Sequence, residues 1–207
     1  MKKRNPYDER YSREGYYWSR TPAFTCRKAV EFAHLITDRK PLLVDIGCGD
    51  GGNTVYLARN GFDVIGLEVS KPGIEKTERY ARESGVHVET VHADMVDYQP
   101  DRTYDVVYSA GTLHYLPPEI RTEWFERFKA ATAADGFHVF SVMVHKPFIA
   151  AAPDIEPDAR LFRSGELMSY YWDWEILWFE ESFFDCNSSG VPHRHAVNRM
   201  VARPAGA

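Results

Sequence analysis

The stretch "PLLVDIGCGDGGN", residues 41–53, joins an apolar run to a turn that carries four glycines. Gly47, Gly49 and Gly52 have the spacing G-x-G-x-x-G, which lets a strand turn tightly into a helix and brings the backbone close to a ligand. A strand followed by such a turn is typical of α/β proteins that bind nucleoside cofactors. The stretch therefore predicts a strand, a ligand-binding turn and a helix, in that order.

Short apolar runs continue to alternate with helical patterns beyond this turn. Strands are predicted at residues 41–47, 62–68, 86–94, 104–110 and 137–144, and helices at 52–61, 71–85 and 118–136. This alternation is typical of a parallel sheet that is covered by helices on both faces. Residues 22–38 also have helical spacing, and we expect that helix to pack on the sheet.

The last third of the chain has a different pattern. A short helical pattern at residues 166–173 precedes two strand-like stretches, 174–184 and 196–204, and the segment between them is too short for a crossover helix. These two strands should therefore pair antiparallel. Residues 145–165 contain three prolines and no clear period, which predicts an excursion over the sheet edge.

These patterns predict a doubly wound, mostly parallel, seven-stranded sheet that ends in an antiparallel hairpin. We expect residues 22–207 to form a single domain. Residues 1–21 would form an aromatic N-terminal segment that closes over the ligand as a lid.

Composition limits the classes of partner. The net charge of −5 and the pI of about 5.9 argue against a nucleic-acid or anionic-membrane surface and favour a small-molecule partner. The N-terminal residues lack the apolar stretch of a signal peptide, and no run approaches membrane-spanning length. Three widely spaced cysteines fit reduced thiols. We expect a cytoplasmic protein that could form a homodimer.

Two cofactor classes suit the glycine turn. Glu68 follows about twenty residues after Gly47, where a carboxylate can accept both hydroxyls of a ribose, so either a dinucleotide or S-adenosylmethionine fits. Asp45 would repel a pyrophosphate but suits a cationic amino-acid ligand, and Asp94 in "HADM" can accept from an adenine amine. The sequence pattern also shows no second domain that could bring a substrate to a nicotinamide for hydride transfer. These features favour the sulfonium cofactor.

The stretch "LLVDIGCGDGGNTVYLARNGFDVIGLEVS", with "HADM" and "YDVVYSAGTLHYLP", resembles the cofactor-binding half of class I S-adenosylmethionine-dependent methyltransferases. The resemblance implies roles for the following residues: Asp45, Gly47, Gly49 and Gly51 would line the methionine part, Glu68 the ribose, Asp94 and Met95 the adenine, and Ser109 with Ala110 the floor beneath the sulfonium. Asn53, Val69 and Trp18 complete the expected cofactor-binding set.

A narrower resemblance comes from "ELMSYYWDWEILWFEES" and "NRMVARP", which are similar to small-molecule methyltransferases of the tellurite-resistance protein B family. That resemblance implies a compact acceptor such as a thiol, a chalcogen oxyanion or another metabolite. Two alternatives stay open: an NAD-dependent oxidoreductase, and a non-catalytic cofactor-binding or scaffold protein.

Four residues are candidates for catalysis or for positioning the substrate. His114 and Tyr115 follow the fourth predicted strand, at the rim where a doubly wound sheet binds ligands. Tyr16 lies in the aromatic stretch "YYWSRTP" of the expected lid, and His195 lies beside the final hairpin. His195 could also join His193 and Cys186 in a metal site, but without a fourth ligand we predict no metal.

Overall fold

The computed structural model describes residues 5–18, 20–187 and 190–206, and within them seven strands form one sheet. The strands are β1 (Leu42–Ile46), β2 (Asp63–Glu68), β3 (Glu89–His92), β4 (Tyr104–Ala110), β5 (Thr132–Val144), β6 (Trp174–Cys186) and β7 (His193–Pro204). Their order is β3-β2-β1-β4-β5-β7-β6, and all neighbours pair parallel except β7, which is antiparallel to both β5 and β6. The predicted mostly parallel sheet with a final antiparallel hairpin is confirmed.

The helices are α1 (Pro6–Ser12), α2 (Phe24–Phe32), α3 (Gly52–Arg59), α4 (Lys71–Glu83), α5 (Arg121–Ala130) and α6 (Glu166–Ser169). Helix α1 was not predicted from the sequence. It begins with Pro6 at its first turn and is capped by Asn5, whose side chain accepts from the Tyr7 amide. Of the helices in the described ranges, not one combines the length and the apolar character that crossing a bilayer demands.

Several predicted boundaries differ from the structure, and the largest difference lies between α5 and β5. The helix predicted over residues 118–136 ends at Ala130, and β5 begins at Thr132. The register between β4 and β5 shifts next to Tyr104, and a Cβ at Gly136 would lie 2.6 Å from the Asp105 carbonyl oxygen. The close approach of β4 at this glycine, a tertiary constraint, explains why the helical propensity of the alanines did not decide the local structure.

The strand order places the ligand-binding crevice. From β1 the chain builds outward to β2 and β3 on one side, and to β4 and β5 on the other. The loops that follow β1 and β4 therefore diverge, which opens a crevice at the carboxyl ends of these strands. Alternate residues of the central strands fill two apolar cores, one on each face: Val44 and Val107 lie in one, and Leu43 and Val106 in the other.

A histidine on β5 is kept neutral by burial, and its hydrogen bonds fix which of its nitrogens carries the proton. The hydroxyl of Thr132 donates to the Phe128 carbonyl (2.6 Å), so it accepts from His138 Nε2 at 2.7 Å. The Tyr171 hydroxyl then donates to His138 Nδ1. Burial, together with the nearby charge of Lys129, lowers the pKa of His138 from 6.5 to about 3.

This histidine should make the protein less stable in mild acid. The unfolded chain takes up a proton near pH 6.5 while the folded chain does not, so lowering the pH favours unfolding, at a cost of about 2 kcal/mol between pH 6.5 and pH 5. The difference between the unchanged chain and His138→Gln in denaturant unfolding at several pH values measures the loss, because the other buried titratable groups contribute alike in both chains. Histidine NMR spectra, assigned with His138→Gln, should show no titration of His138 above pH 5; a midpoint near 6.5 would contradict the argument.

Candidate active site

One cavity of about 1200 Å³ lies at the carboxyl ends of the parallel strands. The loop after β1, the ends of β2 and β3, and the loop after β4 form one side, which we call the glycine-loop side. Residues of β6, β7 and the segment 145–165 border the cavity as well, and they form the hairpin side. The crevice expected from the strand order is thus a continuous space between the two sides.

The glycine turn has the shape that its spacing predicts. Gly47 and Gly49 border the cavity and have φ angles of 78° and 60°, in the left-handed region that favours glycine. A Cβ at Gly47 would lie 2.2 Å from Thr112 Oγ1, and one at Gly49 would lie 2.8 Å from the Tyr11 hydroxyl. The turn therefore needs glycine at both positions, because its backbone is in close contact with other parts of the cavity wall.

Glu68 ends β2 with its carboxylate held in a fixed position. Oε2 accepts from the Gly49 amide at 3.0 Å, and Oε1 accepts from the Ser70 amide at 2.8 Å. Burial raises the pKa of Glu68, although these amide hydrogen bonds oppose the shift. A carboxylate has about four acceptor sites, so both oxygens keep a lone pair for a ligand hydroxyl in the cavity that Glu68 borders.

Four further residues of the expected cofactor-binding set also border the cavity: Asn53, Val69, Asp94 and Met95. The backbone at Met95 is fixed because the Trp124 indole donates to its carbonyl oxygen at 3.0 Å. The structure thus brings together residues that lie on three separate loops of the sequence. Their contacts with a cofactor stay a prediction.

Asp45, Gly51 and Ser109 are set back from the cavity, which corrects the expectation that they line it. Asp45 is fully buried, accepts from the Thr54 hydroxyl at 2.6 Å, and has a pKa that burial raises to about 7. Ser109 donates to the Ile46 carbonyl at 2.8 Å. A Cβ at Gly51 would lie 2.9 Å from the Thr77 backbone, so Gly51 packs against α4. All three support the loops after β1 and β4 from the side that faces the core.

Aromatic residues from the N-terminal segment cover the glycine-loop side. We call Tyr7, Tyr11, Tyr17 and Trp18 the aromatic cover; each borders the cavity. The Trp18 indole donates to the Tyr11 hydroxyl at 2.9 Å, and the Tyr7 hydroxyl lies 2.8 Å from that of Tyr115. Tyr115, which follows β4, also borders the cavity, so its hydroxyl links the cover to the sheet.

Polar contacts fix the N-terminal segment to the glycine turn and to α4. Asp50 in the turn accepts from the amides of Tyr17 (2.5 Å) and Trp18 (3.2 Å). Lys76 on α4 is buried and donates to the backbone carbonyl of Arg13 at 2.6 Å. The expected lid is therefore packed directly on the loop that it was expected to cover; residues 1–4 and 19 lie outside the described residues.

Tyr16 does not border the cavity, contrary to its assignment as a substrate-positioning residue. Its ring packs against Tyr80 on α4 at 5.4 Å, and the guanidinium of Arg20 lies 4.3 Å from it. The neighbouring Tyr17 borders the cavity instead. The sequence analysis could not separate the two tyrosines, because the choice depends on the hydrogen bonds of Asp50 to the backbone after α1.

His114 and His195 also lie outside the cavity wall, which corrects their assignment as residues that face the substrate. His114 is buried, and burial lowers its pKa to about 3, so it is neutral near pH 7. His195 instead lies in a cluster with Asp154, Cys186 and His193. Near neutral pH neither histidine is placed to take a proton from a molecule in the cavity.

Charged residues that the sequence analysis did not assign border the cavity. Asp158 and Arg160 come from the segment 145–165, and Arg199 comes from β7. Arg199 donates to Glu180 at 2.7 Å, which holds its guanidinium against the neighbouring strand. The segment 145–165 has three prolines and no helical or strand-like spacing of apolar residues, so the sequence predicted only a loop over the sheet edge. It could not identify which charged residues of that loop face the cavity.

Comparisons with known proteins agree with this geometry. The family described as "Methyltransferase domain" matches residues 43–136, which run from β1 into β5. The chain is 26% identical over 153 residues to the probable S-adenosyl-L-methionine-dependent methyltransferase TehB of Haemophilus influenzae, a match that covers 74% of this chain and 52% of that protein. The chain thus spans about half the length of the TehB proteins it matches.

Solved structures share the fold. The crystal structure of TehB from Haemophilus influenzae matches with a TM-score of 0.74 and 23% identity, covering 86% of this chain and 62% of that one. A structure titled "Conversion of a Disulfide Bond into a Thioacetal Group during Echinomycin Biosynthesis" matches with a TM-score of 0.70 and 19% identity, covering 97% and 91%. Residues 43–136, which carry the glycine turn and Glu68, thus match the methyltransferase domain family, and the chain shares its fold with TehB and resembles the S-adenosyl-L-methionine-dependent TehB proteins in sequence.

Proposed function

We propose that this chain transfers the methyl group of S-adenosylmethionine to a small-molecule acceptor that binds on the hairpin side of the cavity. The observation that carries the proposal is the single cavity in which the glycine turn, Glu68 and Asp94 border one side and Arg160 and Arg199 border the other. Such a continuous space lets a cofactor and an acceptor meet while the aromatic cover limits access of water.

The residues on the glycine-loop side fit the cofactor. Glu68 would accept from the ribose hydroxyls, Asp94 would accept from the adenine amine, and Met95 would pack on the ring. When bound, the cofactor supplies a methyl group on a positively charged sulfur. The aromatic cover offers ring faces, which favour a cation, and the acidic side chains of Glu68 and Asp50 add negative charge at the same wall.

The size of the cavity supports two ligands. Pockets for one small molecule have volumes of about 300–1,000 Å³, and this cavity has about 1200 Å³. Tyr115, Arg160 and Arg199 border the same cavity. A compact acceptor would therefore fit beside the cofactor.

The side chains around the cavity favour an acceptor that is already nucleophilic. Burial raises the pKa of Tyr115, so its hydroxyl stays protonated and can orient an acceptor by hydrogen bonding. Catalysis would come mainly from holding the nucleophile in line with the methyl group, at about 3 Å. A thiol, a chalcogen oxyanion or another metabolite that carries negative charge meets this requirement, and Arg160 and Arg199 would attract it.

The proposal extends to how the protein is organised. Residues 1–21 would act as a lid on a domain of residues 22–207, and the net charge of −5 supports a small molecule as partner in place of a nucleic acid. Cys26 and Cys48 are free thiols, which is consistent with a reducing compartment such as the cytoplasm.

A panel of acceptors tests the proposed reaction. The protein is incubated with S-adenosylmethionine and thiols, selenium or tellurium oxyanions, amines or carboxylates, and both S-adenosylhomocysteine and the methylated product are measured by mass spectrometry. We expect product with a soft anionic acceptor and none with Glu68→Ala. Product formed only on amines would contradict the proposed acceptor class, and cofactor binding without turnover on any acceptor would favour the non-catalytic alternative.

A further inference from the structure

Four potential metal ligands converge beside the cavity, where the sequence suggested only three. Each of Asp154, Cys186, His193 and His195 offers one ligand atom, and these atoms all lie within 4.8 Å of one another. His193 Nε2 lies 2.9 Å from His195 Nε2 and 2.9 Å from an Asp154 carboxylate oxygen. The Cys186 sulfur lies 3.7 Å from the other Asp154 oxygen. Asp154 is the fourth ligand that was missing.

The orientation of His193 is fixed by a backbone carbonyl. Its Nδ1 lies 2.7 Å from the Val191 carbonyl, and a carbonyl can only accept, so Nδ1 carries a proton. In a neutral imidazole Nε2 then has only a lone pair, and that lone pair faces the carboxylate of Asp154 and the ring of His195. A backbone carbonyl that fixes the tautomer of a histidine in this way is typical of metal ligation.

We propose that Asp154, Cys186, His193 and His195 bind one zinc ion. Two histidine nitrogens, a thiolate and a carboxylate oxygen are ligand types that zinc accepts, and a tetrahedral site with bonds of about 2.0–2.3 Å places ligand atoms about 3.3–3.7 Å apart. The nitrogen–nitrogen and nitrogen–oxygen separations of 2.9, 2.9 and 3.3 Å and the sulfur–oxygen separation of 3.7 Å lie near this range, and all four ligand atoms lie within 4.8 Å of one another, so side-chain shifts of less than about 1.5 Å would bring them to an ion. Two negative ligands and two neutral ones also balance the charge of the ion, which suits a mostly buried site.

Four protein ligands leave no open position, which makes this a structural site. Asp154 belongs to the segment 145–165, whereas Cys186 ends β6 and His193 begins β7. The ion would thus fasten that segment to the hairpin. Asp158 and Arg160 follow in the same segment and border the cavity, as does Cys186 itself. Zinc would therefore hold the hairpin side of the cavity in place, whatever reaction occurs there.

Metal analysis of the full chain without a histidine tag tests the site. We expect one zinc per chain, and an affinity at least about 100-fold weaker in Asp154→Asn and Cys186→Ser. His87→Gln, at an exposed position in the connection before β3, is the matched control and should bind as the unchanged chain does. Failure of the unchanged chain to bind zinc, or equal binding by all variants, would overturn the proposal.

Two further measurements keep the test decisive if a variant folds poorly. Cobalt(II) bound to the unchanged chain should give a thiolate charge-transfer band and the visible spectrum of a tetrahedral site; an octahedral spectrum without that band would rule out Cys186 as a ligand. Limited proteolysis within residues 145–165 should slow about tenfold when zinc is added and recover with a chelator. An unchanged cleavage rate would show that the ion does not fasten the segment.

Discussion

Removing residues 1–20 is expected to lower the turnover number about 100-fold while weakening cofactor affinity less, by about tenfold. The aromatic cover closes the cavity wall and would position the acceptor, whereas the loops after β1, β2 and β3 still hold the adenosine. The first sheet strand begins at Leu42, so the sheet should still form. Stability should fall modestly, because buried Lys76 loses the backbone carbonyl of Arg13 as its acceptor.

A pair of neighbouring substitutions separates the cover from a general effect of the N-terminal segment. Trp18 borders the cavity and Tyr16 does not, although both belong to the same short stretch. Trp18→Ala should reproduce much of the loss in turnover, whereas Tyr16→Ala should leave turnover within about twofold. Steady-state kinetics on the identified acceptor, with circular dichroism as the check of folding, measures both. Full activity of the truncated chain would show that these aromatics do not serve the reaction.

Replacing Glu68 by alanine should weaken binding of S-adenosylhomocysteine at least about 100-fold. Two hydrogen bonds from ribose hydroxyls to a carboxylate are worth about 3 kcal/mol together, and the substitution also leaves the amides of Gly49 and Ser70 without their acceptor. Isothermal titration calorimetry measures the change. Because the glycine turn would also lose one of the contacts that fix it, the free energy of unfolding should fall as well, and denaturant unfolding measures that part separately.

Glu75→Ala is the matched control for this substitution. Glu75 lies exposed on α4, a short distance along the chain from Glu68. Its replacement by alanine removes the same charge. Its effect on affinity should stay within about twofold. Equal losses of affinity in both variants would assign the effect to net charge. An unchanged affinity in Glu68→Ala would show that Glu68 does not bind the ribose.

The sequence predicted those parts of the fold that depend on residues close together in the chain. Alternation of apolar runs with helical patterns is a property of neighbouring residues, and the turn at Gly47 and Gly49 needs a backbone conformation that only glycine adopts easily. The missing crossover helix between β6 and β7 likewise forced an antiparallel pair. The early end of α5 was missed because the close approach of β4 at Gly136, a tertiary contact, overrode helix propensity.

Most of the predicted residues that border the cavity lie at the end of a strand or just after it. Glu68 and Asp94 border the cavity because each follows a parallel strand, and these ends meet at one edge. Asp45 and Ser109 also lie near strand ends, but the sequence does not show whether a side chain points into the cavity or into the core. Asp154 could not be linked to His193 at all, because a proline-bearing segment without a period has no predictable path.

Calorimetric titration of the full chain with S-adenosylhomocysteine and with NADH tests the central claim most directly. The account predicts a one-to-one complex with S-adenosylhomocysteine at a micromolar Kd and no measurable binding of NADH, because the carboxylates of Asp50 and Glu68 border the cavity at the glycine turn, where they suit an amino-acid nucleoside and repel a pyrophosphate. Tight binding of NADH without binding of S-adenosylhomocysteine would contradict it.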